Sequence, residues 1–208
     1  MKKLLALLAA FGLFTGVAQA DIVLIDFDDA DSWDLSESNA GSYGEKGYSD
    51  QGWDFTASDG AIRENLADRF QGTYSWRLRG QDWLAENTTA ADYSGFSIEI
   101  RPWGDSEPTA SAAWSLEYSV NSGADWTLVN DSIQGQDPLA WTTYSATFDE
   151  TSFAAGEFQV RLTSSGNPGS NDNRINVDNF TAIPEPGTMV LLVVGMFGAA
   201  AMRRKLHQ

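Results

Sequence analysis

The chain has 208 residues, 13 Lys and Arg against 29 Asp and Glu, and a formal net charge of −16. This excess of carboxylates argues against nucleic acid as a partner, because phosphate contacts require clustered cations. Cysteine is absent and the only histidine is His207, which excludes disulfides, histidine-ligated zinc and Ser-His-Asp or Cys-His catalysis from the body of the chain.

The first 20 residues have the pattern of a secretory signal peptide. Lys2 and Lys3 precede an apolar stretch at residues 4–17, and Ala18 and Ala20 form an A-x-A cleavage site. An uncleaved membrane helix is the alternative, but 14 apolar residues fall short of the roughly 20 that span a bilayer. We therefore expect signal peptidase to remove residues 1–20.

Residues 21–183 have the length and composition of one folded domain. All eight tryptophans and all six tyrosines of the chain lie in this region. Disordered acidic segments are poor in aromatic residues, so the composition favours a packed core despite the charge. Because cysteine is absent, we expect core packing to hold this domain together, with bound metal ions as an additional source of stability.

Most of the domain shows alternation of apolar and polar residues with a period of two. This period is typical of antiparallel strands with one face in the core, and Gly, Asn, Asp, Ser and Pro between the segments indicate turns. Eight or nine such strands predict an all-β fold, an antiparallel β-sandwich of the jelly-roll type. Seven of these strands have clear bounds: an opening strand at 22–27 that is apolar on both faces, and alternating segments at residues 74–79, 96–101, 114–120, 142–148, 158–163 and 175–178.

The order of these segments resembles the galactose-binding-like jelly-roll modules of exported bacterial proteins. The resemblance is carried by four short stretches, residues 25–27, 76–80, 116–119 and 173–180. It implies the sandwich fold, and it also implies a structural calcium ion near the two ends of the domain.

Carboxylates cluster at those two ends. Asp26 and Asp28 lie at the end of the first predicted strand, and Asp178 lies in the last one. If the first and last strands lie side by side, these side chains converge, and calcium prefers such oxygen ligands. We expect Asp26, Asp28 and Asp178 to contribute ligands to one structural Ca²⁺; solvated turn acids are the alternative.

A short segment matches the spacing S-x-D-x-G-x-x-W, with Asn121 at the aspartate position. It resembles the Asp-box hairpins of sialidases and other exported β-proteins, which are structural even in enzymes. We expect Asn121 to bond turn amides, Gly123 to adopt a positive φ and Trp126 to pack on the strands. One copy in a chain of this length excludes a sialidase propeller.

Four tryptophans lie in polar, loop-like contexts and are candidates for stacking on sugar rings. Their exposure in loops predicts a carbohydrate-binding groove, whereas partial burial against strand ends is the alternative. The four residues are Trp33, Trp53, Trp83 and Trp103.

Catalysis has little support in the sequence. No phosphate-binding glycine loop is present, and no residue is identified as catalytic. A glycosidase needs only two carboxylates, so a polysaccharide hydrolase stays an alternative. Its candidate acids are Glu64, Glu86, Glu99, Glu107 and Glu117.

The C-terminal 25 residues combine three elements in a fixed order. Pro184, Glu185 and Pro186 are followed by an apolar segment at residues 189–202 and then by the basic cluster Arg203, Arg204 and Lys205. A buried helix is disfavoured because the segment is apolar all round, and the cluster fits the positive-inside rule. A GPI signal lacks a closing basic cluster.

Together these elements resemble the PEP-CTERM sorting signal of Gram-negative bacteria. The resemblance covers residues 183–205 and implies recognition by an exosortase, transient residence in the inner membrane, and delivery to the cell surface or extracellular matrix. We therefore divide the chain into a signal peptide at 1–20, a β-sandwich at 21–183 and a sorting signal with a hydrophobic helix at 184–208. The sequence predicts an exported, non-enzymatic surface or matrix protein that binds carbohydrate; a purely structural matrix role is an alternative.

Overall fold

The computed structural model describes residues 22–34, 41–64, 70–80, 82–102, 114–133, 140–149, 152–165 and 174–185. Residues 22–184 form one compact unit. The predicted signal peptide and C-terminal hydrophobic helix lie outside the described residues. No helix in the described ranges has the length and apolarity needed to cross a membrane.

The described part of the chain is built from strands, with one 3-10 turn at Ala30–Ser32 and no α-helix. The strands in chain order are β1 Val23–Ile25, β2 Trp33–Asp34, β3 Gly44–Asp50, β4 Trp53–Arg63, β5 Ser75–Arg79, β6 Trp83–Asn87, β7 Ala91–Pro102, β8 Trp114–Ser119, β9 Thr127–Ile133, β10 Thr142–Thr147, β11 Ser152–Phe153, β12 Gln159–Ser164 and β13 Arg174–Pro184.

All of the strand pairs in the described ranges are antiparallel, and nine strands follow the order β10-β7-β13-β5-β4-β6-β12-β8-β9. The other four strands pair beside this path: β1 with β13, β11 with β7, β2 with β3, and β3 with β4. β4 is shared: its second half pairs with β5 and its first half with β6. Ring contacts join the two halves of this path, with Trp53 of β4 4.7 Å from Phe180 of β13 and Phe96 of β7 5.9 Å from Tyr118 of β8. The predicted all-β, jelly-roll-like sandwich is confirmed.

Alternating side chains place the core between the two layers. In β7, Phe96, Ile98 and Ile100 are fully buried, whereas Ser97 and Glu99 on the opposite face are partly exposed. Burying side chains of this size contributes roughly 1.5–3 kcal/mol each relative to leaving them in water. The period-two pattern therefore reports the core face of these strands.

β4 changes layers through an irregularity. Its pairing with β3 shifts by one residue between Gly44 and Lys46, so that Ala57 faces the core in the first half and Ile62 does so in the second. Gly60 lies just after the shift, where an added Cβ would be 2.2 Å from Nε1 of Trp76. Only glycine allows the buried indole to approach the backbone this closely.

The first and last strands are neighbours, as the sequence predicted. β1 pairs with β13 in the register Val23 to Ala182 and Ile25 to Phe180. β1 is shorter than predicted and sits on the surface, since Leu24 is exposed. β13 extends one residue beyond residue 183, the predicted end of the domain. Its last residue, Pro184, pairs with Tyr93 of β7.

Candidate functional site

The predicted tryptophan groove is not formed by the residues that the structure describes. Trp33, Trp53 and Trp83 are only 8%, 1% and 0% exposed. Each begins a strand and turns into the aromatic core, although polar neighbours made its context look like a loop. The prediction that these three tryptophans are exposed is therefore wrong. A buried ring has no free face on which a sugar could stack. Trp103 lies outside the described residues.

The three predicted calcium ligands lie at the same end of the sandwich but point at backbone amides. Oδ1 of Asp26 accepts from the amide of Asp28 at 3.1 Å. Oδ1 of Asp28 in turn accepts from the amides of Thr73 and Tyr74 at 2.6 and 2.7 Å. These carboxylates therefore fix the turn that enters β5.

Asp178 is fully buried and holds the same segment from the other side. Its Oδ2 accepts from the amide of Phe70 at 2.9 Å, and its Oδ1 accepts from the amide of Asn179 at 2.8 Å. Burial raises the pKa of Asp178 to about 7, with a smaller contribution from the charge of Asp28 and an opposing one from the amide bonds.

This geometry does not fit a three-carboxylate calcium site. No group of three acidic or imidazole side chains in the described ranges could hold a metal ion. Asp28 and Asp178 each already accept two backbone amides, so both carboxylates have a structural role in the turn. The predicted convergence at one end is correct, but the structure assigns these side chains to a turn.

The Asp-box-like hairpin has the predicted structural role. Oδ1 of Asn121 accepts from the amide of Asp125 at 2.9 Å, and Oγ of Ser119 accepts from the amide of Gly123 at 2.9 Å. Gly123 has a φ of +77°. The ring of Trp126 lies over Arg161 on β12, with 3.9 Å from Cζ to the ring centre.

Three of the five candidate catalytic glutamates each bind a side chain on a neighbouring strand. Glu117 forms an ion pair with Arg161 at 2.8 Å, Glu86 accepts a hydrogen bond from Gln159, and Glu99 accepts from Thr143 at 2.7 Å. Glu64 is exposed at the end of β4. Glu107 lies outside the described residues. These contacts account for the three strand glutamates structurally.

A cluster that the sequence analysis missed lies on the face of β4, β5, β13 and β7 that points away from the core. We call it the arginine face; it comprises Arg63, Arg77, Arg79, Arg101 and Arg174. The five positions alternate with core residues along their strands. Arg79 is opposite Arg174, and Arg77 and Arg101 are each opposite Asn176. They bring most of the arginines of the domain onto one surface of an acidic chain.

The floor of the arginine face is a row of three residues on neighbouring strands. Asn176 of β13 pairs with Arg77 of β5 on one side and with Arg101 of β7 on the other. Neighbouring strands are about 4.8 Å apart. Nε of Arg77 donates to Oδ1 of Asn176 at 2.9 Å. All three are buried: Arg77 is 4%, Arg101 6% and Asn176 0% exposed.

Two other cations of the face are partly exposed and anchored. Arg79 forms a bidentate ion pair with Asp59: Nε lies 2.8 Å from Oδ2, and Nη2 lies 3.2 Å from Oδ1. The Tyr43 ring lies 4.1 Å from Cζ of Arg79 and 5.2 Å from Cζ of Arg63. Cation–π contacts of this kind fix both the ring and the guanidinium.

Aromatic residues flank the floor on two sides. Tyr43 covers the β4 and β5 side and is partly exposed. On the other side Phe70 contacts Trp141 edge to face at 5.8 Å, and its amide is held by Asp178 of β13. Phe70 is 44% exposed and Trp141 is partly exposed, directly before β10. The result is a polar floor between accessible rings.

Three groups at this face are buried without a hydrogen-bond partner: Nδ2 of Asn176, Nε of Arg63 and the hydroxyl of Tyr43. An unsatisfied buried polar group costs about 1–3 kcal/mol. Each buried group without a partner requires an explanation, and a bound molecule is one of them. Chemically, the face can offer hydrogen-bond donors and positive charge to a ligand that stacks against its aromatic edges.

Comparison with known families identifies the C-terminal segment of the chain. Residues 182–205 match the family model of the PEP-CTERM protein-sorting motif. The chain therefore carries a PEP-CTERM sorting signal, as predicted, which indicates export and surface or extracellular delivery by an exosortase. Apart from Pro184 and Glu185, the predicted signal residues lie outside the described ranges. No curated protein matches the sequence.

Solved structures similar to the chain include carbohydrate-binding modules. The CBM22-1 xylan-binding domain of Paenibacillus barcinonensis Xyn10C aligns with a TM-score of 0.46 and 12% identity over 79% of this chain and 96% of that domain. The C-terminal family 22 carbohydrate-binding module of Clostridium thermocellum Xyn10B has a TM-score of 0.40 and 15% identity, covering 76% and 98%.

An enzyme is also among the similar structures. The family two carbohydrate esterase from Cellvibrio japonicus has a TM-score of 0.39 and 10% identity, and the alignment covers 80% of this chain but 36% of the esterase. The similarity concerns one part of that protein.

Proposed function

We propose that the chain is an exported surface or matrix-associated protein that binds carbohydrate through the arginine face. The observation that carries the proposal is the combination of partly exposed rings on both sides of a buried polar row. Sugar sites in proteins need apolar surface for the pyranose faces and a few directed polar groups for the hydroxyls.

The aromatic edges supply the stacking surface in this proposal. Phe70 and Trp141 support one another at 5.8 Å, and Tyr43 is held against Arg79 at 4.1 Å. Rings fixed in this way lose little conformational entropy when a ligand binds. They replace the buried tryptophans as our candidates for contact with a sugar.

The proposed role is binding without hydrolysis. Glu99 lies on the same face of β7 as Arg101 and is engaged by Thr143. Glu86 and Glu117 lie in the other half of the sandwich, on β6 and β8. Export by signal peptidase and exosortase then places the protein in the extracellular matrix of a Gram-negative bacterium, where polysaccharide is the available ligand.

The experiment is a glycan array with the chain expressed from its full sequence and recovered after export. We expect binding to matrix polysaccharides and loss of binding in Tyr43→Ala and Trp141→Ala. The matched control is Trp126→Ala, which removes an aromatic from the hairpin in the other half of the sandwich.

Each alternative gives its own result in this experiment. Absence of binding to every glycan would contradict the proposal and leave a structural matrix role. Release of shortened products from a bound glycan would show a hydrolase. Binding that Trp126→Ala abolishes and the two face variants retain would move the site to the hairpin.

A further inference from the structure

The charge of the domain is distributed unevenly. The chain carries a net charge of −16, yet five arginines share the arginine face. Of the other cations, Arg161 in the second half of the sandwich is neutralised by Glu117 at 2.8 Å. A strongly acidic surface repels anions unless a local cluster of opposite sign attracts them.

The unpaired groups of the floor and rim are mainly donors. Oδ1 of Asn176 is used by Arg77, so the group left without a partner is the amide Nδ2. The other unpaired nitrogen, Nε of Arg63, is also a donor. Arg77 and Arg101 make further interactions within the protein. The donors without a partner are therefore those of Asn176 and Arg63.

A donor-rich face selects for ligands that only accept. A sugar hydroxyl both donates and accepts, whereas a carboxylate or sulfate accepts only, and its bonds to guanidinium groups are charge-assisted. The carboxylates near the face are committed elsewhere: Asp59 to Arg79, Asp178 to backbone amides and Glu99 to Thr143. Within the described ranges, these three carboxylates therefore already have partners other than Nδ2 of Asn176 and Nε of Arg63.

We infer that the carbohydrate bound by the arginine face is an anionic saccharide, whose acidic groups accept from Nδ2 of Asn176 and Nε of Arg63. The inference deepens the proposed function and rests on it. The aromatic edges distinguish a saccharide from a small inorganic anion, because a bare ion gains nothing from Tyr43 or from the Phe70–Trp141 pair.

Access to the face begins at its rim. Arg63, Arg79 and Arg174 are partly exposed, whereas Arg77 and Arg101 are buried. Asn176 and Arg63 lie on strands separated by β5, so their positions are about 10 Å apart across the sheet. A polymer with repeated acidic groups can reach both points, with a side chain of the rim moving to admit it to the floor.

The test measures binding of four ligands to the chain expressed from its full sequence and recovered after export, by isothermal titration calorimetry at low salt. The ligands are a uronic-acid oligosaccharide, the same oligosaccharide with its carboxylates reduced to alcohols, and a sulfated oligosaccharide with its desulfated counterpart. We expect the uronate to bind at least about tenfold more tightly than its reduced form, and added salt to weaken it.

Asn176→Asp is the sharpest variant because it keeps the acceptor for Arg77 and replaces only the unpaired donor. We expect at least about tenfold weaker binding of the acidic ligand and a smaller effect on the reduced one. Asn130→Asp on β9 is the matched control: it adds the same charge in the other half of the sandwich and keeps the acceptor for Ser132. Arg63→Gln at the rim, with Arg161→Gln as its control, repeats the test without altering the floor.

The outcomes distinguish a failure of the inferred preference for anionic saccharides from a failure of carbohydrate binding itself. Equal affinity for acidic and reduced oligosaccharides would overturn the inference while leaving carbohydrate binding in place. Absence of binding to all of them would overturn both. Tight binding confined to the sulfated ligand, lost on desulfation, would support the anionic class and assign the acceptor to sulfate. Equal effects of Asn176→Asp and Asn130→Asp would show that overall charge, and not this face, is responsible.

Discussion

Arg77 donates through Nε to Oδ1 of Asn176 at 2.9 Å, across 99 positions of sequence and between two adjacent strands. The bond lies on the outward face of the sheet, yet both residues are buried. The bond orients the side-chain amide of Asn176 so that its donor nitrogen, Nδ2, has no hydrogen-bond partner. This one pair therefore bears both on the stability of the fold and on the proposed binding of a ligand.

The energetics of this pair can be measured with a double-mutant cycle. Arg77→Met leaves both ends of the Asn176 amide without a partner, so we expect it to lower the free energy of unfolding by about 1–3 kcal/mol. Arg77→Met combined with Asn176→Leu removes the unpaired group as well. Its cost should be less than the sum of the two single variants, as measured by urea denaturation. Additive costs would mean that the hydrogen bond contributes nothing.

Asp178 makes stability depend on pH. Its pKa in the folded protein is raised by burial from 3.8 to about 7. The stabilising contribution of the neutral carboxyl is therefore complete below pH 3.8 and is lost as the pH rises through 7. Relative to Asp178→Asn, the wild type should lose on the order of a few kcal/mol of unfolding free energy across this window.

The measurement is urea denaturation of both proteins at a series of pH values. Asp125→Asn, in the exposed hairpin, is the control and should follow the wild-type profile. Parallel profiles for the wild type and Asp178→Asn would show that Asp178 titrates in the folded protein as it does in the unfolded chain.

The sequence was sufficient to predict strands whose alternation is regular. In β12, Val160 and Leu162 face the core at every second position, as predicted. β3 was missed because Gly44–Asp50 contains two glycines and few apolar residues. It forms a strand because β4 supplies its partner, so the tertiary context outweighs the local preference.

The site could not be predicted from local patterns. Trp53 follows a Gln-Gly turn and looks like a loop residue, but its ring meets Phe180 from the far end of the chain at 4.7 Å. The arginines alternate with core residues in β5 and β7, which the sequence does display. Their meeting on one face depends on the register of β13 between those strands, and no local signal encodes that register.

Calcium removal tests the metal site that the sequence predicted. Asp28 and Asp178 bond backbone amides of the turn before β5, so we expect EGTA to leave the melting temperature unchanged. A ligand that binds only the folded state would raise the melting temperature, and the rise would grow with the logarithm of the ligand concentration. A fall in melting temperature with EGTA, restored by calcium and absent in Asp28→Asn, would show that the carboxylates exchange the amides for a metal.

The change of layers in β4 depends on a missing side chain. An added Cβ at Gly60 would lie 2.2 Å from Nε1 of Trp76, a fully buried residue, whereas nothing lies within 4 Å of the corresponding atom at Gly41. Gly60→Ala must displace the indole or the strand, which costs roughly 1–3 kcal/mol in a well-packed core. Gly41→Ala is the matched control and should be close to neutral in urea denaturation. Equal stability of the two variants would mean that Trp76 has room to move, and that β4 does not need glycine where it passes from one layer to the other.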